Sequence, residues 1–181
     1  AIWLEDTQGN YLSTVYVTHK IATQSWQASG GNRRKEALPH WCYSRGVKYD
    51  DGLYLPTKKE PLIDGISGAT PHESFNIKLN PATALKKFVV KIEINHSTDF
   101  NEAFPKSAKD GEANYSGGKE GSGQPAIVYA ANVDLSSGEK SFEANLMGHS
   151  SPDGSSGEVN KDTSGLTTAL HIVKRITVII Q

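Results

Sequence analysis

Short segments in which apolar and polar residues alternate with a period of two recur along the chain, and this pattern limits the fold more than any other feature. Phe75, Ile77 and Leu79 alternate with Ser74, Asn76 and Lys78, and Val90, Ile92 and Ile94 alternate with Lys91, Glu93 and Asn95. Ile127, Tyr129, Ala131, Val133 and Leu135 form a third series, Phe142, Ala144 and Leu146 a fourth, and Ile172, Ile176, Val178 and Ile180 close the chain. The period is that of a half-buried strand. It predicts strands over Phe75 to Leu79, Phe88 to Asn95, Ala126 to Leu135, Ser141 to Leu146 and His171 to Ile180. Trp3 to Glu5 and Tyr11 to Ile21, rich in β-branched and aromatic residues, flank Gln8-Gly9-Asn10 and read as a hairpin. Ser136-Ser137-Gly138 supplies a turn that joins the third and fourth series into a second hairpin. The alternation also assigns faces: Ile92, Ile94, Val133 and Ile176 inward, Lys91 and Glu93 toward solvent.

Helical signals are few. Asn80-Pro81 makes an N-cap and first-turn pair, yet the space before Phe88 allows about two turns. Arg33 to Leu38 reads as one further turn, stopped by Pro39. Helices this short cannot cover both faces of a parallel sheet. With about seven or eight strands, the expected fold is therefore all-β: an antiparallel immunoglobulin-like β-sandwich with one or two very short helices. Residues 1–181 are read as one domain of this kind. Lys106 to Gln124 and Ser150 to Gly165, rich in glycine and polar residues, are expected to be long loops of functional interest.

Charge and cysteine content narrow the function classes. With 19 basic and 20 acidic residues the net charge is −1, which provides no field for general nucleic-acid binding. No apolar run approaches the roughly 18 residues of a transmembrane segment. The one cysteine, Cys42, excludes an intrachain disulfide and any C-x-x-C motif. His40 lies two residues from it, on the same face if the segment is a strand, although a cysteine between Trp41 and Tyr43 is more often a small buried hydrophobe. The start at Ala1 without Met fits either a trimmed chain or a mature protein whose signal peptide is gone, and the 18 Ser, 12 Thr and 10 Asn favour the expectation of an exported protein. None of the six histidines forms an H-x-H or H-x-x-x-H pair. Half-sites at His96 with Asp99 and at His72 with Glu73, and a calcium loop at Asp153 to Asp162, are the weaker metal readings, and no metal ligand is assigned.

The segment Asp64-Gly65-Ile66-Ser67-Gly68-Ala69-Thr70-Pro71 carries the most chemistry. A phosphoryl acceptor must offer an unhindered hydroxyl to a second protein, and Gly65, Gly68 and Ala69 keep the approach to Thr70 open. Pro71 biases Thr70 toward extended backbone, and Asp64 can orient a hydroxyl or amide at a turn. The same residues also suit a plain tight corner leading into the strand at Phe75. Asp64-Gly65-x-Ser67-Gly68-Ala69-Thr70 resembles the acceptor motif of covalently flavinylated bacterial proteins, in which a flavin transferase moves FMN from FAD onto the threonine hydroxyl.

A wider likeness covers most of residues 1–102. Trp26, Leu38-Pro39-x-Trp41, the Asp64 to Thr70 segment and Glu93-Ile94-Asn95-His96-Ser97-x-Asp99-Phe100-Asn101-Glu102 together resemble an uncharacterised family of predicted periplasmic bacterial proteins. Its members tend to occur beside flavin transferases and iron-regulated membrane reductases. The resemblance implies an extracytoplasmic, periplasmic location and a redox neighbourhood. On that reading the protein is an accessory of flavin-linked electron transfer that performs no catalysis alone. Thr70 carries covalent FMN, Asp64, Gly65, Ser67, Gly68 and Ala69 form its setting, and a flavin transferase and a membrane redox partner are its partners. The aromatics Trp26, Trp41, Tyr43, Tyr49 and Tyr54 could stack on an isoalloxazine ring or a sugar, although core packing is the commoner outcome for such residues. The alternative is an immunoglobulin-like binding or interaction module without a cofactor, gripping its ligand with the glycine-rich loops.

Overall fold

The computed structural model describes residues 1–26, 33–62, 66–79 and 85–181. Among these residues nine strands and two short α-helices form. The strands are β1 (Ile2–Glu5), β2 (Tyr11–Thr18), β3 (Ile66–Gly68), β4 (Lys87–Ile94), β5 (Ile127–Asp134), β6 (Ser141–Glu143), β7 (Asn145–Ser150), β8 (Val159–Asn160) and β9 (Thr177–Ile179). The helices are α1 (His19–Thr23) and α2 (Pro39–Ser44). Seven strands make one sheet in the order β3-β2-β1-β4-β5-β7-β8, and β6 pairs with β9 in a second, two-stranded sheet.

The protein is thus mostly β with very little helix, but the large sheet is mixed. β3 runs parallel to β2, placing Tyr16, Val17 and Thr18 opposite Ile66, Ser67 and Gly68. The other pairings are antiparallel. Parallel neighbours need a long crossover. Here it is the stretch between β2 and β3, whose described residues carry α1 and α2 and pack over one face of the sheet.

Each face of the central strands has its own core. Cross-strand register puts Ile2, Leu4, Phe88, Val90, Ile92, Tyr129, Ala131 and Val133 on one face. Phe142 and Ala144, with half-buried Ile77, Ile176 and Val178, pack against that face, so the β6–β9 sheet is its lid. On the opposite face Trp3 and Val17 meet Ile21, Ala22, Leu38, Trp41, Cys42 and Leu55 from the crossover. A third cluster, Ile127 with Leu166 and Ala169, continues the first face toward the end of the chain.

The strands at 88–95 and 126–135 form where the alternation places them, with Ile92 and Val133 buried, and the first hairpin forms with its second strand ending at Thr18, because His19 to Ile21 open α1 and do not extend the strand. Four expectations are corrected. Residues 75–79 form no strand: Ile77 turns inward while Phe75 and Leu79 stay exposed. Ser141 to Leu146 is two strands, because the chain changes sheets at Ala144, whose amide bonds to the Ile176 carbonyl at 3.0 Å. The turn after β5 exists, but β5 pairs with β7 and not β6. Of His171 to Ile180, Thr177–Ile179 alone is strand, preceded by a 3-10 turn over Thr168–His171, and Ile94 and Ile176 are half-buried.

Two more corrections concern the crossover. Pro39 opens a helix at its first position, where its missing N–H costs nothing, and does not close one. His40 and Cys42 therefore lie on a helix, not on one strand face. The helix expected after Asn80-Pro81 falls largely on residues 80–84, outside the described residues, and Lys87 already belongs to β4.

Truncating Ile92 to Ala should cost about 2–5 kcal/mol in urea unfolding, since the side chain is buried between Ile2 and Tyr129. A loss below ~0.5 kcal/mol would mean that this face is not the core.

Candidate functional site

Two places hold the residues that the sequence singles out. The first is the end of β3. Ser67 and Gly68 are strand residues, not a tight corner, and they are held to Val17 and Thr18 by the parallel ladder. The hydroxyl of Tyr16 donates to the Ala69 carbonyl. Burial pushes the Tyr16 phenol pKa further up from a value already well above neutral. A Cβ on Gly68 would stand 3.2 Å from Cε2 and the hydroxyl oxygen of Tyr16, so glycine permits the approach. Beyond this anchor Ala69 and Thr70 are exposed, as is Ser67. Asp64 and Gly65 lie outside the described residues. Thr70 thus follows an edge strand on irregular backbone, its side chain open to solvent.

The second place is beneath α2. Glu93 is completely buried, contrary to its expected solvent position. It shares a face with Trp3, Glu5 and Lys91, and that face is covered by the crossover. Its carboxylate accepts the backbone N–H groups of His40 at 3.1 Å and Trp41 at 2.7 Å, and the Ser150 hydroxyl also donates to it. His40 and Trp41 occupy the first turn of α2, where amides have no partner within the helix. Pro39 has no N–H to satisfy. Burial raises the Glu93 pKa above the usual carboxylate range, outweighing the nearby His40 and the hydrogen bonds from Ser150 and Trp41 that pull it down. Alongside, Trp3 Nε1 donates to Glu5 at 2.8 Å, and Lys91 Nζ lies 3.8 Å from Glu5. A strand pattern shows that Glu93 and Lys91 share a face; that a segment fifty residues upstream roofs that face is not encoded in the alternation.

The remainder of the Glu93 to Glu102 segment ties loops to the sheet. Asn95 accepts from Ser122 at 3.2 Å and Ser97 from Arg34 at 2.7 Å. Arg34 is buried, bonds Glu36 and Ser122 as well, and lies 4.8 Å from the Trp26 ring. Asp99 accepts from Gln124 and Thr168, and Asn101 donates to the Gly165 carbonyl. Gly117, at φ +91°, passes so close to Glu36 that a Cβ would stand 2.6 Å from its carboxylate. The second half of the long loop at 106–124, from Ser116 to Gln124, is therefore laid down on this polar floor. Asp153 in the second loop is occupied by Ser151 and the Ser155 amide.

The other candidates separate. Trp41 is core, Tyr43 stacks on Tyr54 with centroids 4.3 Å apart, and Trp26 rests on the same core. They lie among the residues of the crossover and form no open platform at β3. Cys42 is buried, and burial pushes its thiol well above the usual range, away from nucleophilic chemistry. Among the described residues no three His, Cys, Asp or Glu side chains gather as a metal site, and no helix is long and apolar enough to cross a membrane. Comparison with protein-family models, with curated proteins and with solved structures finds no match to this chain.

Glu93 yields a signed pH test. Its raised folded pKa stabilises the fold below the ordinary glutamate value of about 4.3, and this contribution is lost as pH rises through the folded pKa. The stability difference between wild type and Glu93→Gln, measured by urea unfolding, should therefore shift against the wild type as pH rises from about 4 into the neutral range. Glu93→Ala should cost about 3 kcal/mol or more, because two amides lose their acceptor. A pH-independent difference, or an alanine cost below ~1 kcal/mol, would remove the carboxylate from this role.

Proposed function

We propose that this protein is an exported, periplasmic accessory of an extracytoplasmic flavin-linked electron-transfer system. It carries FMN on Thr70 and presents it from an immunoglobulin-like β framework. The observation that carries the reading is the exposed Thr70 just beyond an anchored edge strand. An acceptor threonine has two requirements: reach for a transferase and a backbone that returns to one geometry. Exposure supports the first; the β2–β3 ladder and the Tyr16 bond to Ala69 support the second.

The attachment is a phosphoryl transfer. Thr70 Oγ attacks the FMN phosphorus of FAD, the bond from that phosphorus to the AMP phosphate oxygen breaks, AMP leaves, and the threonine proton passes to the transferase or solvent. No electrons move in that step. Redox chemistry begins afterwards, when the bound isoalloxazine accepts electrons from a membrane partner and passes them on. The protein contributes tether and orientation, and needs no catalytic group of its own.

The rival reading, a cofactor-free binding module with gripping loops, has less support. Ser122 and Gln124 of the first long loop are buried and bonded inward to Arg34, Asn95, Asp99 and Thr168. A loop anchored at this end has less freedom to close on a ligand.

Co-expression with a flavin transferase and ample FAD should raise the protein mass by one FMN less one water. Thr70→Ala should abolish that increment while changing stability by no more than about 0.5 kcal/mol, as expected for an exposed side chain. An unmodified wild-type mass after co-expression with the cognate transferase would overturn the proposal.

A further inference from the structure

Phe75 is 49% exposed and Leu79 43%, although both belong to a sequence pattern that would bury them beside Ile77. Ile77 alone of the three is packed on the core. Phe75 is not adrift: its ring pairs with that of Tyr16 at a centroid separation of 5.8 Å and an interplanar angle of 47°. Tyr16 is the residue whose hydroxyl bonds Ala69 and whose ring abuts Gly68. The open Phe75 ring and the backbone next to Thr70 are therefore both in contact with one tyrosine side chain. Exposed ring, buried ring and acceptor segment form a single packed unit at the edge of the sheet.

We infer that Phe75, backed by Tyr16, is the seat on which the isoalloxazine ring of a Thr70-linked FMN rests; this builds on the attachment proposed above. Flavin chemistry fits the surface. The dimethylbenzene end of the ring system is flat and apolar, and an offset or tilted aromatic contact covers it without needing polar partners. The occupant is fixed by the tether: a phosphoester on Thr70 holds one flavin at high local concentration beside Phe75, where a diffusing ligand would have to be captured from solution. The polar chain neighbours Ser74, Asn76 and Lys78 are exposed as well, which suits a flavin whose pyrimidine end stays in water. Without such a seat, the flexible ribityl chain would leave the flavin without a fixed orientation toward an electron partner.

The test uses full-length protein flavinylated by co-expression, with attachment verified by mass before any optical measurement. Acrylamide quenching of flavin emission should be several-fold weaker for the wild type than for free FMN, and Phe75→Ala should bring it close to the free value, with a parallel fall in flavin anisotropy. Phe75→Trp keeps an aromatic surface and adds an electron donor, so it should darken flavin emission several-fold relative to wild type. This variant decides the matter if Phe75→Ala proves unstable. FMN attached in normal yield, with acrylamide access unchanged by Phe75→Ala or emission unchanged by Phe75→Trp, would overturn the seat and leave the attachment standing. Absence of the FMN mass would overturn both.

Discussion

A buried carboxylate holds the two layers of this molecule together. Glu93 is on a central strand, and the amides that it accepts are the two open N–H groups in the first turn of α2, with Ser150 of β7 as third donor. A six-residue helix does not stand by itself in water. It persists because its free amides end on a fixed acceptor and because Trp41 enters the core beside Trp3 and Val17. The order of dependence then runs outward. α2 fixes the crossover over one sheet face, the crossover returns the chain beside β2, and that return makes β3 parallel and sets the path of the residues that follow it.

This dependence accounts for what the amino-acid pattern could and could not convey. The alternation in β4 and β5 is faithful for Phe88, Val90, Ile92, Ala131 and Val133, because each faces one continuous apolar core. It misplaces Glu93 because a polar residue opposite a core face is equally compatible with water and with a roof of donors. It misplaces Phe75 and Leu79 because alternation without a strand partner has no ladder to enforce it. The break at Ala144 is hidden for a related reason: Phe142 and Ala144 are both buried, so the hydrophobic pattern runs on while the hydrogen-bond partners change.

The segment that ends at Thr70 was legible in its residue types and illegible in its support. Gly68, Ala69 and Thr70 announce an unhindered stretch, and Thr70 is exposed. Tyr16, fifty-three residues away from the carbonyl that it binds, acquires its role through the parallel pairing alone. The Glu93 to Glu102 segment shows the reverse. Its dense polar residues read like a site, yet Asn95, Ser97, Asp99 and Asn101 spend their hydrogen bonds on loops of the same chain.

Among the described residues β3 has a neighbour on one side alone and is joined to it over three residues. Opening free energies differ from place to place within a fold, and a short edge strand belongs at the low end of that range. Peeling Ile66–Gly68 away from β2 would break a handful of hydrogen bonds and leave β1, β4, β5 and β7 paired. Residues 66–70 would thus be released as an extended segment while the body of the protein stays folded, and the ladder would zip shut again behind it.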